Sequence, residues 1–165
     1  MSHATFSTPF GTCAIAWNDV GLTRFLLPDP DRRASSGAEA EPAPWVSEII
    51  DRVKRHLGGD LQDFADCRYD FGRTPPFHQA VLRATLAIKS GQTTTYGEIA
   101  ARIGHPPGAS RAVGSALGAN PWPLLIPCHR VTAAAGKMTG FSGPGGIATK
   151  IRLLALEGAQ LFAEG

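Results

Sequence analysis

The residues best equipped for chemistry stand together at Pro127-Cys128-His129-Arg130-Val131. A thiolate is a nucleophile and a thiol is nearly inert. A cysteine followed by a histidine and an arginine has two neighbours able to favour the charged form. Upstream, Asn120-Pro121-Trp122-Pro123-Leu124-Leu125-Ile126-Pro127 holds three prolines in seven residues, which exclude helix and stiffen the backbone. Cys128 is thereby delivered in one conformation. Adjacent side chains of an extended segment point to opposite faces, so His129 is expected to reach the sulfur through a water. Downstream, Gly136 to Gly146 forms a glycine-rich loop. This setting separates Cys128-His129 from a chance dipeptide and marks Cys128 as a candidate nucleophile.

The segments around this stretch must position it. Thr12–Trp17 and Gly21–Leu27 read as strands joined at Asn18-Asp19, a hairpin signal. Pro28 to Pro44, rich in Pro, Ala, Ser, Glu and Arg, reads as an exposed loop. Trp45, Ile49, Val53 and Leu57 recur every fourth residue until Gly58-Gly59, which predicts an amphipathic helix. Phe64 to Phe71 reads as a further strand, and Cys13 and Cys67 as packing cysteines. Arg73-Thr74-Pro75-Pro76 marks a boundary. Beyond it, Phe77, Val81, Leu82 and Leu86 predict a helix to about Lys89. Thr93-Thr94-Thr95 can cap a helix from Tyr96 to about Ile103. The turn His105-Pro106-Pro107-Gly108 leads to another helix from Ala109 to about Leu117. Its Ala109, Ala112, Gly114, Ser115, Ala116 and Gly118 have almost no bulk, and Arg111 is its long cation. Such a helix can approach another backbone closely, either inside the protein or on DNA.

Composition sets the outer bounds. The 165 residues are 43% hydrophobic and 18% charged, which supports a buried core and excludes wholesale disorder. No stretch nears the ~20 apolar residues of a membrane helix, and the first five residues lack a secretory pattern. A soluble cytoplasmic protein is expected. Three cysteines, odd in number and without a CxxC pair, fit free thiols rather than disulfides or a thiolate zinc site. Residues 1–73 carry 8 Lys/Arg and 11 Asp/Glu, whereas residues 74–165 carry 8 and 3. The net +5 of the second part suits a polyanionic partner, though charge alone leaves a solvated surface equally open.

Taken in order, Thr95-Tyr96-Gly97-Glu98-Ile99-Ala100, Ser110-Arg111-Ala112-Val113-Gly114, Asn120-Pro121, Pro127-Cys128-His129-Arg130-Val131, Gly136 to Gly140 and Lys150 to Gly158 resemble the O6-alkylguanine-DNA alkyltransferases, or methylated-DNA–protein-cysteine methyltransferases. The resemblance covers Phe77 to Gly158 and extends more loosely to the Gly21-Leu22-Thr23 hairpin. It implies an α/β N-terminal domain, residues 1–73, a small sheet with helices and the 28–44 loop exposed. A mainly α-helical C-terminal domain, residues 74–165, would contain a helix-turn-helix.

The resemblance also implies the chemistry. Cys128 would take the alkyl group from O6 of guanine, less readily from O4 of thymine, as a thioether, so each molecule acts once. His129, oriented by Glu157, would accept the thiol proton, following the logic of a catalytic triad. Tyr96 would donate a hydrogen bond to the departing base, and Asn120 would steady the thiol or nearby backbone. The base must leave the duplex stack, so Arg111 would fill the vacated space from the minor groove. Thr95, Tyr96, Ser110, Ala112 and Gly114 would line the DNA contact. Val131, Phe141, Ser142 and Gly143 would line the base pocket.

This chain departs from the family pattern in places. Phe141 replaces a usual tyrosine, the 142–146 loop is about two residues longer, and His78 and Leu82 replace a familiar Gln and Trp. No cofactor, metal, membrane or obligate protein partner is implied. The partner is double-stranded DNA containing O6-alkylguanine. An alkyltransferase-like protein that recognises lesions without transfer is the alternative; Cys128 and the N-terminal half argue against it. A cysteine hydrolase would leave the DNA-binding features unexplained.

Overall fold

The computed structural model describes residues 2–29, 39–133 and 146–159. The chain begins with an antiparallel meander of β1 (Ser2–Thr8), β2 (Gly11–Trp17) and β3 (Leu22–Leu26). The expected hairpin is β2–β3. Its turn is tied by Asn18, whose Oδ1 accepts from the backbone N–H of Val20 (2.8 Å) and Gly21 (3.0 Å). Strand β1 was not foreseen, because Ser2–Thr8 buries only Ala4 and Phe6 and its other positions are polar. Two apolar residues make a weak alternation without the partner strand beside them. Of the expected 28–44 loop, residues 30–38 lie outside the described residues, while Ala40 N–H donates to His3 O at 2.9 Å.

Helix α1 (Pro44–Leu57) turns Val46, Ile49, Val53, His56 and Leu57 inward. Val46 takes the buried place expected of Trp45, which is half-buried with the Arg68 guanidinium 4.2 Å over its ring. The expected strand Phe64–Phe71 does not form. Cys67 N–H donates to Phe64 O and the Tyr69 hydroxyl to the same carbonyl (2.8 Å), so the segment curls on itself. Only one parallel bridge, Leu22 to Tyr69, joins it to β3. That contact needs glycine beside it, since a Cβ at Gly21 would lie 2.7 Å from Arg68 O.

Among the described residues four further α-helices follow: α2 (Pro76–Leu86), α3 (Tyr96–Arg102), α4 (Ser110–Gly118) and α5 (Gly146–Leu156). Helix α2 stops at Leu86, short of the expected Lys89, and the carbonyl of Ile88 accepts instead from Arg130 Nη1 at 2.6 Å. Thr95 caps α3 by accepting from Glu98 N–H at 3.1 Å. Helices α3 and α4 pack on each other across residues 103–109, which include a 3-10 turn at Pro107–Ala109. Two short parallel strands, β4 (Thr94–Thr95) and β5 (Val131–Thr132), join the start of α3 to the residues just after Cys128. Buried apolar side chains from both halves form one continuous cluster. Trp122 sits at the seam, its Nε1 donating to Leu22 O (3.1 Å), while Phe25 N–H donates to Pro121 O (2.9 Å). The proline-rich segment is thus fastened to the sheet. Among the described residues, no helix is long and apolar enough to cross a membrane.

Candidate active site around Cys128

The backbone before Cys128 is locked by Asn120. Its Oδ1 accepts from Trp122 N–H (2.9 Å) and its Nδ2 donates to Ile126 O (2.9 Å), closing the proline-rich loop. Inside that loop Leu124 adopts φ 77°, a strained conformation for a residue with a side chain. Burial of Leu124, Leu125 and Ile126 in the core holds it there.

Cys128–Arg130 forms a 3-10 turn rather than the expected extended segment, with Arg130 N–H donating to Pro127 O at 2.9 Å. Successive side chains therefore fan around a turn instead of alternating. His129 and Arg130 both reach Glu157, just beyond the last residue of α5. Arg130 donates from Nε to Oε1 (2.9 Å) and from Nη2 to Oε2 (2.8 Å), and Nη2 also donates to Ser90 Oγ (2.9 Å). The expectation that Arg130 favours the thiolate is therefore corrected: its guanidinium is held by Glu157, Ser90 and Ile88. The two-pronged geometry suits a planar fork on a carboxylate.

His129 Nε2 lies 3.0 Å from each Glu157 oxygen. Burial pushes the Glu157 carboxyl upward, yet hydrogen bonds from Arg130, His129 and His56 outweigh it and hold the group well below the usual carboxylate range. Glu157 is thus charged and can only accept. The proton of neutral His129 then sits on Nε2, and its lone pair on Nδ1, a tautomer assigned from these bonds. His129 Nδ1 is buried and has no hydrogen-bond partner in the protein among the described residues. Burial lowers the imidazole pKa against the pull of Glu157, which keeps the ring neutral and the Nδ1 lone pair unprotonated.

Cys128 is buried, 8% exposed, and burial raises its pKa. A hydrogen bond from Asn120 and the charge of Lys150 act in the opposite direction. The resting sulfur is a thiol. No direct hydrogen bond joins it to His129 among the described residues.

Two residues of this cluster escaped the sequence reading. Lys150, 1% exposed, donates from Nζ to Val131 O at 2.9 Å; burial depresses its pKa while the Cys128 sulfur raises it. His56, fully buried, places Nε2 2.9 Å from Glu157 Oε2. Each is a polar residue on an otherwise apolar helix face, with Leu153 and Leu154 beside Lys150 and Val53 and Leu57 beside His56. That irregularity is the signal that could have found them.

The other expected site residues fall in two groups. Arg111 and Ala112 are exposed on α4 with Ser115 and Gly118, while Ser110 and Gly114 are half-buried. Thr95 and Tyr96, half-buried, start α3 beside this face, and a Cβ at Gly114 would come 4.0 Å from the Tyr96 ring. The Val131 side chain belongs to the core. Phe141, Ser142 and Gly143 lie outside the described residues.

Residues 76–159 match the family model described as 6-O-methylguanine DNA methyltransferase, DNA binding domain. The chain is 38% identical over 157 residues to the methylated-DNA–protein-cysteine methyltransferase of Mycolicibacterium paratuberculosis, covering 95% of this chain and 92% of that protein. It is 42% identical over 126 residues to the protein of that name from Salmonella typhimurium, covering 76% of this chain and 71% of the other. Among solved structures, Mycobacterium tuberculosis OGT in complex with DNA superposes with a TM-score of 0.79 at 39% identity, over 95% of this chain and 93% of that one. Agreement over nearly the whole length, sheet as well as helices, leads to one assignment: the chain belongs to the methylated-DNA–protein-cysteine methyltransferase family.

Proposed function

We propose that this protein repairs alkylated DNA by moving an alkyl group from O6 of guanine in a duplex onto Cys128 Sγ, once per molecule. The observation that carries the reading is the buried Glu157–His129 pair, which fixes the imidazole proton on Nε2 and leaves Nδ1 as the base next in sequence to the thiol. In the reaction the S–C bond forms as the C–O6 bond breaks. The thiol proton passes to His129 Nδ1 through a water, and the released guanine takes up one proton, eased by a hydrogen bond from the Tyr96 hydroxyl. Ionising Cys128 next to Lys150 also relieves the buried ammonium, so the two groups favour the charged nucleophile together. The thioether has no simple reversal, which makes the protein its own consumed reagent.

In this reading the target base is rotated out of the helix, and the small exposed face of α4 presses on the minor groove with Arg111 in the vacated space. Helices α3 and α4 act as the helix-turn-helix. Residues 1–73 form the supporting domain and residues 74–165 the transferring one. Phe141, Ser142 and Gly143 contribute to the base pocket. Three cysteines, none in a disulfide among the described residues, suit a reducing cytoplasm, and a monomer suffices.

The test is intact-protein mass spectrometry after incubation with a short duplex containing O6-methylguanine, with Cys128→Ala alongside. One methyl mass gained at Cys128, saturating at one per protein and lost in the variant, is the expected result. Tight binding to the modified duplex without mass gain would overturn transfer in favour of recognition alone.

A further inference from the structure

The transfer chemistry just described uses His129 and Glu157, yet a second histidine touches the same carboxylate. His56, in the last turn of α1, is fully buried and points Nε2 at Glu157 Oε2 (2.9 Å) across 101 residues of sequence. Its other nitrogen is already committed, because Gln62 N–H donates to Nδ1 at 3.0 Å. A backbone N–H can only donate, so Nδ1 accepts and the ring proton resides on Nε2, aimed at Glu157. Its ring packs on Phe64, centroids 5.6 Å apart, and the Arg52 guanidinium lies over that phenyl ring at 5.3 Å. The histidine therefore has one orientation and one tautomer.

We propose that His56 is a positioning residue for alkyl transfer: as a neutral donor from α1, it fixes Glu157 in the rotamer that orients His129. The inference rests on the transfer reading and deepens it. Arg130 grips both carboxylate oxygens and compensates the charge, but it approaches from the same 3-10 turn as His129. A contact from α1 is the one that anchors the carboxylate to a different element. Neutrality matters too. A second cation on Glu157 would draw its charge further from His129, whereas an uncharged N–H completes the oxygen's coordination and leaves the carboxylate to polarise the imidazole. The charged and titratable groups that face this centre are Arg130 and His129 from the 128–130 turn, His56 from α1, and Asp63, whose charge acts on Arg130 and which Lys89 pairs at 2.6 Å.

The experiment compares single-turnover transfer from an O6-methylguanine duplex, its pH profile, duplex affinity and melting temperature in the parent, His56→Phe and His56→Gln proteins. Phe keeps the ring packing and loses the donor; Gln keeps an N–H at similar reach. Transfer by the Phe variant should slow about tenfold or more, the one charge-assisted hydrogen bond that fixes the Glu157 rotamer being lost. Its acid limb should move to higher pH, because an uncapped Glu157 stabilises protonated His129 more strongly. Duplex affinity should not change, and Gln should restore both rate and profile. His56→Asn, which can still accept from Gln62 but falls short of Glu157, takes the place of Phe if that variant does not fold. Variants that differ from the parent only in melting temperature, with rate and acid limb unchanged, would overturn the proposal. A parent that transfers nothing would instead overturn the transfer reading on which it stands.

Discussion

Replacing Glu157 with Gln changes one oxygen to an NH2 group, and the surroundings leave that group nowhere to go. Oε1 accepts from Arg130 Nε and His129 Nε2, and Oε2 from Arg130 Nη2, His56 Nε2 and His129 Nε2. In either amide orientation the new N–H groups face donors, and His56 cannot switch tautomer while Gln62 N–H occupies Nδ1. Arg130, 6% exposed, also loses its counter-charge. Breaking a buried ion pair from one side costs about 3–5 kcal/mol. At about 2–4 °C per kcal/mol for a chain of this size, the variant should melt about 6–20 °C below the parent. The chemical effect is separate. An amide that donates to His129 Nε2 forces the ring proton onto Nδ1 and removes the base, a tautomer error that slows a triad enzyme on the order of 10⁴-fold. The assays are a thermal melt and quenched single-turnover transfer read by mass, run below the variant's melting range. A melting temperature within about 2 °C of the parent, or transfer within about threefold of it, would refute the account of this carboxylate.

The other perturbations read different parts of the site. Arg111→Ala should weaken duplex binding uniformly across sequences and reduce the slope of log affinity against log salt by about one, measured by fluorescence anisotropy at several ionic strengths; an unchanged slope would remove Arg111 from the DNA face. Asn120→Ala breaks both bonds that close the proline-rich loop, so stability should fall by about 1–3 kcal/mol in a denaturant titration, with slower transfer. Thr95→Ala deletes the cap of α3 and should cost about 1 kcal/mol; a larger loss would show that Thr95 does more than cap. The Glu157 carboxyl titrates below its unfolded value, so its stabilisation is complete above the ordinary carboxylate range and is lost as pH falls. His129, neutral in the fold, takes up a proton on unfolding below about pH 6.5. Both act in one direction, and the melting temperature should fall steadily on acidification from neutral pH. A flat or rising profile would contradict both assignments.

What the sequence carried by itself was local. Pro121, Pro123 and Pro127 announced a stiff approach to Cys128, the caps and glycines bounded most of the helices, and the order of motifs led to the family and so to Glu157. The β1 strand, the curl of residues 64–71 and the β4–β5 pairing were not legible, because short segments take their conformation from what they pack against. Whether Arg130 serves the thiol or Glu157 was equally hidden, since a side chain's partner depends on which element ends beside it. The tertiary structure brought α1, the 128–130 turn and the end of α5 to one point. Only there does a carboxylate gather His56, His129 and Arg130, and only burial away from water makes those contacts strong enough to set one proton on one nitrogen. Residue types give a cysteine, a histidine and a glutamate their possible chemistry; the exclusion of water around them selects which protonation state they hold.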